Sequence, residues 1–199
     1  MSVSPTRDRR AERFQATRRE ILDVAWELVR ADGLGGLSMR DLGARVGLRA
    51  QSLYVYFPSK HAIYDAMFAD GNRELLKRRQ ELGATADPKA TLRALARQFV
   101  EFCVEDPVRY QLLFQRTIPG FEPSEESYEV AREVLDWGRP VLAGVGATDL
   151  ADVDLYTALI AGLVAQQNAN EPGGDRWTRQ LDRVIDMYLA EVARSQSQQ

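Results

Sequence analysis

LSMRDLGARVGLRAQSLYVYFPSK, residues 37–60, reads as two short helices joined by a glycine turn and followed by an aromatic run. Ser38 is placed to cap the first helix by accepting a hydrogen bond from the amide of Asp41, whose carboxylate suits the positive helix end. A helix is therefore predicted from Met39. Met39, Leu42 and Val46 recur at helical spacing and should face inward, with Arg40, Asp41, Ala44 and Arg45 on the flanks or outside. Gly43 sits where a second helix must cross, and its missing side chain lets the backbones approach. Gly47 ends the helix, because glycine readily takes the left-handed conformation that turns the chain. Leu48 and Leu53 should anchor the second helix and leave Arg49, Ala50, Gln51 and Ser52 on its exposed leading turn. In a helix-turn-helix, that leading turn is the part that meets base edges in the DNA major groove.

The aromatic run narrows the reading further. Leu53, Tyr54, Val55, Tyr56, Phe57, Pro58, Ser59 and Lys60 follow in order the pattern of TetR-family transcriptional regulators: Leu-Tyr-x-Tyr/His-Phe, a short turn, then a lysine opening the next helix. The chain resembles that family's DNA-binding domain over roughly residues 12 to 68. The resemblance implies an all-α fold, with an N-terminal three-helix helix-turn-helix domain and a C-terminal helical domain for ligand binding and dimerisation. One departure concerns Arg49, where the family often has a Ser or Thr cap. Either Arg49 begins the second helix with a weaker cap, or it reaches a phosphate or a guanine.

Functional roles can then be assigned as expectations. Ser38, Arg40, Arg49, Tyr54, Tyr56 and Lys60 are expected mainly to position the protein on phosphates, with Arg40 and Arg49 also candidates for base contact. Ala50, Gln51 and Ser52 are expected to read bases. Each tyrosine can bury its ring and still offer a hydroxyl. Lys60 follows Ser59 at a helix start, where an ammonium and backbone amides together suit a phosphate oxygen. Arg45 reads as a solvated helix residue, and His61, the single histidine, as a surface residue without a catalytic partner.

Charge is distributed unevenly along the 199 residues. The overall formal charge is −3, yet residues 1–60 carry a net +4 and the remainder −7. The basic part coincides with the helix-turn-helix, and the acidic part would be repelled by a duplex. The domain division follows as 1–60 for DNA binding, with a basic arm at 1–13, and 61–199 for regulation and dimerisation, a helix over 60–82 connecting the two. Arg7, Arg9, Arg10 and Arg13 either track phosphates or form a solvated arm. No run of about 18 uncharged apolar residues is present, so no membrane span is expected. The basic N-terminus leads into no apolar signal core, and a lone Cys103 in an apolar segment fits a core thiol in a reducing compartment, so a cytoplasmic protein is expected.

Helical patterning continues to the C-terminus. A first helix is predicted over about 10–32, with Phe14, Ile21, Ala25, Leu28 and Val29 on one face. Asp87-Pro88 and Asp106-Pro107 are two helix starts, each a capping carboxylate before a first-position proline. Later helices are expected over about 124–141, 149–168 and 176–194. Leu155, Leu159, Gly162, Leu163 and Gln166 form one stripe, and Leu181, Val184, Ile185, Tyr188 and Leu189 another. Spacing alone fits an intramolecular core as well as an interface. The family resemblance implies the interface, a homodimer through the two C-terminal helices reading a palindromic double-stranded DNA operator.

The resemblance also implies a small-molecule effector in the larger domain, for which Phe99, Phe102, Tyr110, Phe114, Trp137 and Tyr156 are the candidate lining residues. Around Tyr156 the sequence YTALIAGLV is similar to the WHG-type C-terminal domain, with Tyr156 and Ala161-Gly162 where a Trp and a His-Gly pair are usual. The expected function is a dimeric repressor released by a small apolar or amphipathic ligand, with no cofactor and no metal. A helical protein-interaction module without DNA binding is the alternative, and a small helical enzyme a more distant one. No HExxH or CxxC spacing occurs, and Glu125, Glu126, Glu129 and Glu133 read as a solvated face.

Overall fold

Short-range chemistry sets most of the helix boundaries. The computed structural model describes residues 5–197, with side chains described over 9–197. Among the described residues there are nine α-helices and no strand. They are α1 (Pro5–Asp32), α2 (Met39–Arg45), α3 (Ala50–Leu53), α4 (Lys60–Leu82), α5 (Pro88–Glu105), α6 (Pro107–Phe114), α7 (Glu125–Gly144), α8 (Leu150–Asn170) and α9 (Leu181–Gln196). Asp87 caps α5 by accepting from the Lys89 amide at 2.9 Å, and Asp106 accepts from the Arg109 amide at 2.9 Å at the start of α6. Each is followed by a proline, whose missing N–H costs nothing at that position.

Helix α1 begins earlier than its apolar periodicity suggested. Proline suits a first turn, and the arginines, alanine and glutamate after it are good helix formers. Arg9, Arg10 and Arg13 therefore stand exposed on a helix. The Arg7 side chain and residues 1–4 lie outside the described residues.

The chain divides into two compact units, one of residues 1–70 with 111–127, the other of residues 71–110 with 128–199. The first unit extends past residue 60 and takes in a distant segment. Asp65 holds that segment, accepting from the Ser124 amide at 2.7 Å and from the Ser124 hydroxyl at 2.9 Å. The core of this unit is Ile21, Ala25, Val29, Leu42, Leu53, Phe57, Ile63 and Met67, all buried. In the second unit, α5, α8 and α9 pack together. Leu92, Leu95, Val141, Leu142, Tyr188 and Val192 form its core, with Trp137 and Tyr156 against it.

Asp70 is an anchor in the first unit that periodicity did not reveal. It accepts from Trp26 Nε1 at 2.9 Å and pairs with Arg19 at 2.6 Å. Asp70→Ala is expected to cost about 1–3 kcal/mol in urea denaturation, because it strands the indole donor. Arg19→Ala should cost under about 1 kcal/mol, since the Arg19 side chain is largely exposed. Equal losses would mean that the ion pair, not the indole bond, is the anchor.

Candidate nucleic-acid interface

The reading unit is assembled as its sequence chemistry requires. The Ser38 hydroxyl accepts from the Asp41 amide at 3.4 Å, and α2 starts at Met39. Gly43 is buried, and a Cβ there would lie 2.9 Å from the Leu48 carbonyl oxygen. Only a hydrogen fits at that crossing. Gly47 has φ +69°, the left-handed value that turns the chain between the helices.

Helix α3 follows with Arg49 as its N-cap residue, in extended conformation and without a side-chain capping bond. The Arg49 side chain thus leaves the helix end uncapped and is exposed. Ala50, Gln51 and Ser52 are exposed beside it, while Leu53 is fully buried. One side of a single turn is fixed in the core and the other is held out. Arg40 and Arg45 are exposed on α2, and Ser38 is half-buried.

The aromatic run divides by burial. Phe57 is buried, Tyr54 is 49% exposed, and Tyr56 is half-buried with its ring stacked on Phe14 at a centroid distance of 4.9 Å. Arg18 fixes this arrangement from α1. Its guanidinium donates to the Tyr56 carbonyl at 2.8 Å and lies 4.3 Å from the centre of the Phe57 ring. No periodic signal marks Arg18, because its partners are main-chain and π groups 38 residues away or more.

Ser59 caps α4 by accepting from the Ala62 amide at 3.0 Å. Lys60, half-buried, donates to the Gly35 carbonyl at 3.3 Å and lies 5.5 Å from the Tyr64 ring centre. It opens onto a cleft of about 360 Å³ that also touches Leu34, Gly35, His61, Tyr64 and Thr117. The Tyr64 hydroxyl donates to the Leu34 carbonyl, and burial pushes its pKa up to about 12, so it remains a donor at ordinary pH. His61 is exposed, with its ring edge-on to Phe121 at 5.9 Å.

The aromatic residues considered for an effector are not gathered into one group. Phe114 belongs to the first unit and is 41% exposed, whereas Phe99, Phe102, Tyr110, Trp137 and Tyr156 belong to the second. Phe102 is fully buried with the Arg109 guanidinium 3.7 Å from its ring centre and that of Arg78 at 5.2 Å. Its ring is already engaged by cations. Trp137 and Tyr156 line the apolar core of the second unit, Phe99 is half-buried and Tyr110 buried. Cys103 is buried, and burial raises its thiol pKa well above the ordinary value. It is therefore a neutral core thiol.

Of the two C-terminal stripes, part belongs to the chain's own core. Leu181, Ile185, Tyr188 and Leu163 are buried within the chain, while Leu155 is 38% exposed and Gly162 and Gln166 are exposed. No helix among the described residues is long and apolar enough to cross a membrane.

Residues 21–67 match the family described as bacterial regulatory proteins, tetR family. The HTH-type transcriptional repressor DrrR1 of Streptomyces coeruleorubidus is 30% identical over 140 residues, 70% of this chain and 47% of that protein. The chain spans about half the length of the curated relatives it matches. In fold it is similar to the TetR family transcriptional regulator PfmR from Thermus thermophilus, with TM-score 0.63 and 19% identity, covering 85% of this chain and 97% of that one. It is likewise similar to FadR from Bacillus subtilis, with TM-score 0.64 and 16% identity over 86% and 97% of the two chains. The named relatives are transcriptional regulators, not enzymes. The match at residues 21–67 lies on the glycine-turned helix pair, so it is this part of the chain that is similar to the tetR family of bacterial regulatory proteins.

Proposed function

We propose that the chain is a dimeric, sequence-specific DNA-binding transcriptional regulator that represses from a palindromic operator and is released by a small ligand. The observation that carries this reading is the leading turn of α3. Arg49, Ala50, Gln51 and Ser52 face outward from a turn whose last residue, Leu53, is fully buried. A short, rigidly seated helix end bearing one cation and two hydrogen-bonding side chains suits a major groove. Arg40, Tyr54, Tyr56 and Lys60, with Ser38, are the proposed phosphate-side contacts. Repression is supported by the likeness to DrrR1, a transcriptional repressor.

Dimerisation through α8 and α9 is supported by the apolar and small residues those helices leave uncovered, with Leu155 and Met187 38% and 60% exposed. Joining two reading heads about 34 Å apart converts weak half-site binding into tight operator binding. For the ligand, support comes from a protein of this fold, FadR from Bacillus subtilis, which forms a complex with stearoyl-CoA. The second unit is the proposed effector domain.

The experiment is a footprint and gel-retardation titration on DNA flanking the protein's own coding region. Gln51→Ala should lose about 1–3 kcal/mol of discrimination at one operator position and leave non-specific binding unchanged. Lys60→Ala should instead weaken all duplexes alike and reduce the magnitude of the log K against log salt slope by about 1. An unchanged salt slope with lowered stability would make Lys60 only the tie to Gly35. No retardation by the wild type at low salt would favour an interaction module without DNA binding.

A further inference from the structure

Helix α4 ends with a buried cation that nothing among the described residues neutralises. Arg79, in the last turn of α4, is 9% exposed, and its Nε has no hydrogen-bond partner. Its guanidinium sits against α7 at a place kept open by a glycine. A Cβ on Gly138 would come within 3.2 Å of Arg79 Nη1 and 3.8 Å of a Leu95 methyl. Leu95 lies beside the same glycine, and the Tyr156 phenol and the Cys103 thiol act on the guanidinium electrostatically, in the unit that also holds the apolar core of Leu92, Val141 and Leu142.

The two neighbours that could carry negative charge do not carry it. Burial raises the pKa of both Tyr156 and Cys103 far above neutrality, while burial lowers that of Arg79. Two other arginines of this unit have acceptors, although the Nε of Arg109 is likewise without a partner. Arg78 pairs with Glu74 at 2.9 Å and with Glu105 at 2.8 Å, and Arg109 donates to the Phe102 carbonyl at 2.7 Å. A buried cation left unpaired is destabilising, and buried polar groups are otherwise almost always satisfied by protein, water or a bound ion.

We propose that Arg79 is the anchor for the carboxylate of an amphipathic organic acid bound in the second unit, with the Tyr156 phenol as an adjacent donor. The single guanidinium and neutral phenol match a monoanion, since a dianionic phosphate would remain undercompensated. Leu95 beside the guanidinium offers apolar contact to a hydrocarbon or aryl body and none to a hydrated inorganic ion. The proposal rests on the second unit being the effector domain, and it fixes the chemical class of the effector as anionic.

The test compares acids with neutral partners of the same shape. Decanoate, stearate and 4-phenylbutyrate are titrated calorimetrically into the full chain beside their methyl esters, with inorganic phosphate as a further probe, and each is also added to the retarded DNA complex. At least one acid is expected to bind ~10-fold or more tightly than its ester and to release DNA, with phosphate inert. Arg79→Met should abolish the preference and keep or raise the ligand-free Tm, because it removes an uncompensated buried charge. Arg79→Lys should retain part of the preference. Equal binding of acid and ester, no binding by any acid, or an intact preference in a folded Arg79→Met would each overturn the proposal. Should Arg79→Met fail to fold, the wild-type acid-to-ester ratio still decides it. Acid binding that depends on Arg79 in a protein that never retards DNA would keep this site and remove the regulator reading. DNA binding with no acid preference would do the reverse.

Discussion

Replacing Ala158 by arginine is expected to yield a folded monomer whose operator affinity is lower by about 10²–10⁴-fold. Ala158 is exposed on α8, on the same helical face as Leu155, Gly162 and Gln166. The spacings of three and four residues put these four on one stripe. If a second copy covers the stripe, the new guanidinium is buried without a partner and the interface fails. On an open face the same substitution would change stability by no more than about 0.5 kcal/mol.

Sedimentation equilibrium with circular dichroism and DNA retardation therefore separates the cases. A dimer that persists in Ala158→Arg would remove this face from the interface. Gly162→Ala sharpens the comparison, because a Cβ there meets no atom within 4 Å in the isolated subunit. Helix propensity alone would make alanine stabilising by about 0.5–1 kcal/mol. A partner helix seated on Gly162 reverses that sign and loosens the dimer. Ile185 and Tyr188 are poor targets by contrast, since both are fully buried within the subunit and their loss would unfold it.

The reading unit was legible in the sequence because its determinants are local. A capping serine, a glycine at a crossing, a glycine at φ +69° and a second capping serine each act within a few residues. The C-terminal stripes were legible only as apolar faces. The helical period is the same whether a side chain enters its own core or meets another molecule, so Leu181 and Leu155 look alike until the subunit is folded.

Side-chain bonds between distant positions left still less trace. Arg18 on the Tyr56 carbonyl, Trp26 on Asp70, and Ser124 on Asp65 join residues 38 to 59 apart without any repeating pattern. That is why residues 111–127 were expected with the regulatory part, whereas they join the first unit. Burial of polar groups was equally hidden. Phe102 reads as one more aromatic until Arg109 is found 3.7 Å from its ring centre, and Arg79 reads as one more surface arginine until its burial is seen. A sequence gives the charge of a residue but not the dielectric around it, and here the dielectric decides what the residue can bind.

Gly43→Val should destabilise the protein by about 1–3 kcal/mol and lower specific DNA affinity by about 100-fold or more, with helix content retained. The atom that a Cβ would strike at 2.9 Å is the backbone oxygen of Leu48, which cannot swing aside as a side-chain end can. The two helices must separate, and α3 has only four residues with which to hold its angle. Its leading residues then move together, so phosphate and base contacts are lost at once. Gly47→Ala provides the contrast. No atom lies within 4 Å of its Cβ, so the cost is the left-handed backbone alone, about 1–2 kcal/mol. If the turn keeps its shape, that variant should lose stability while DNA affinity at low temperature stays near wild type. A Gly43→Val protein that bound its operator normally would show that the close crossing of α2 and α3 does not set the presentation of Gln51 and Ser52. The reading of α3 as the recognition helix would then lose its structural basis.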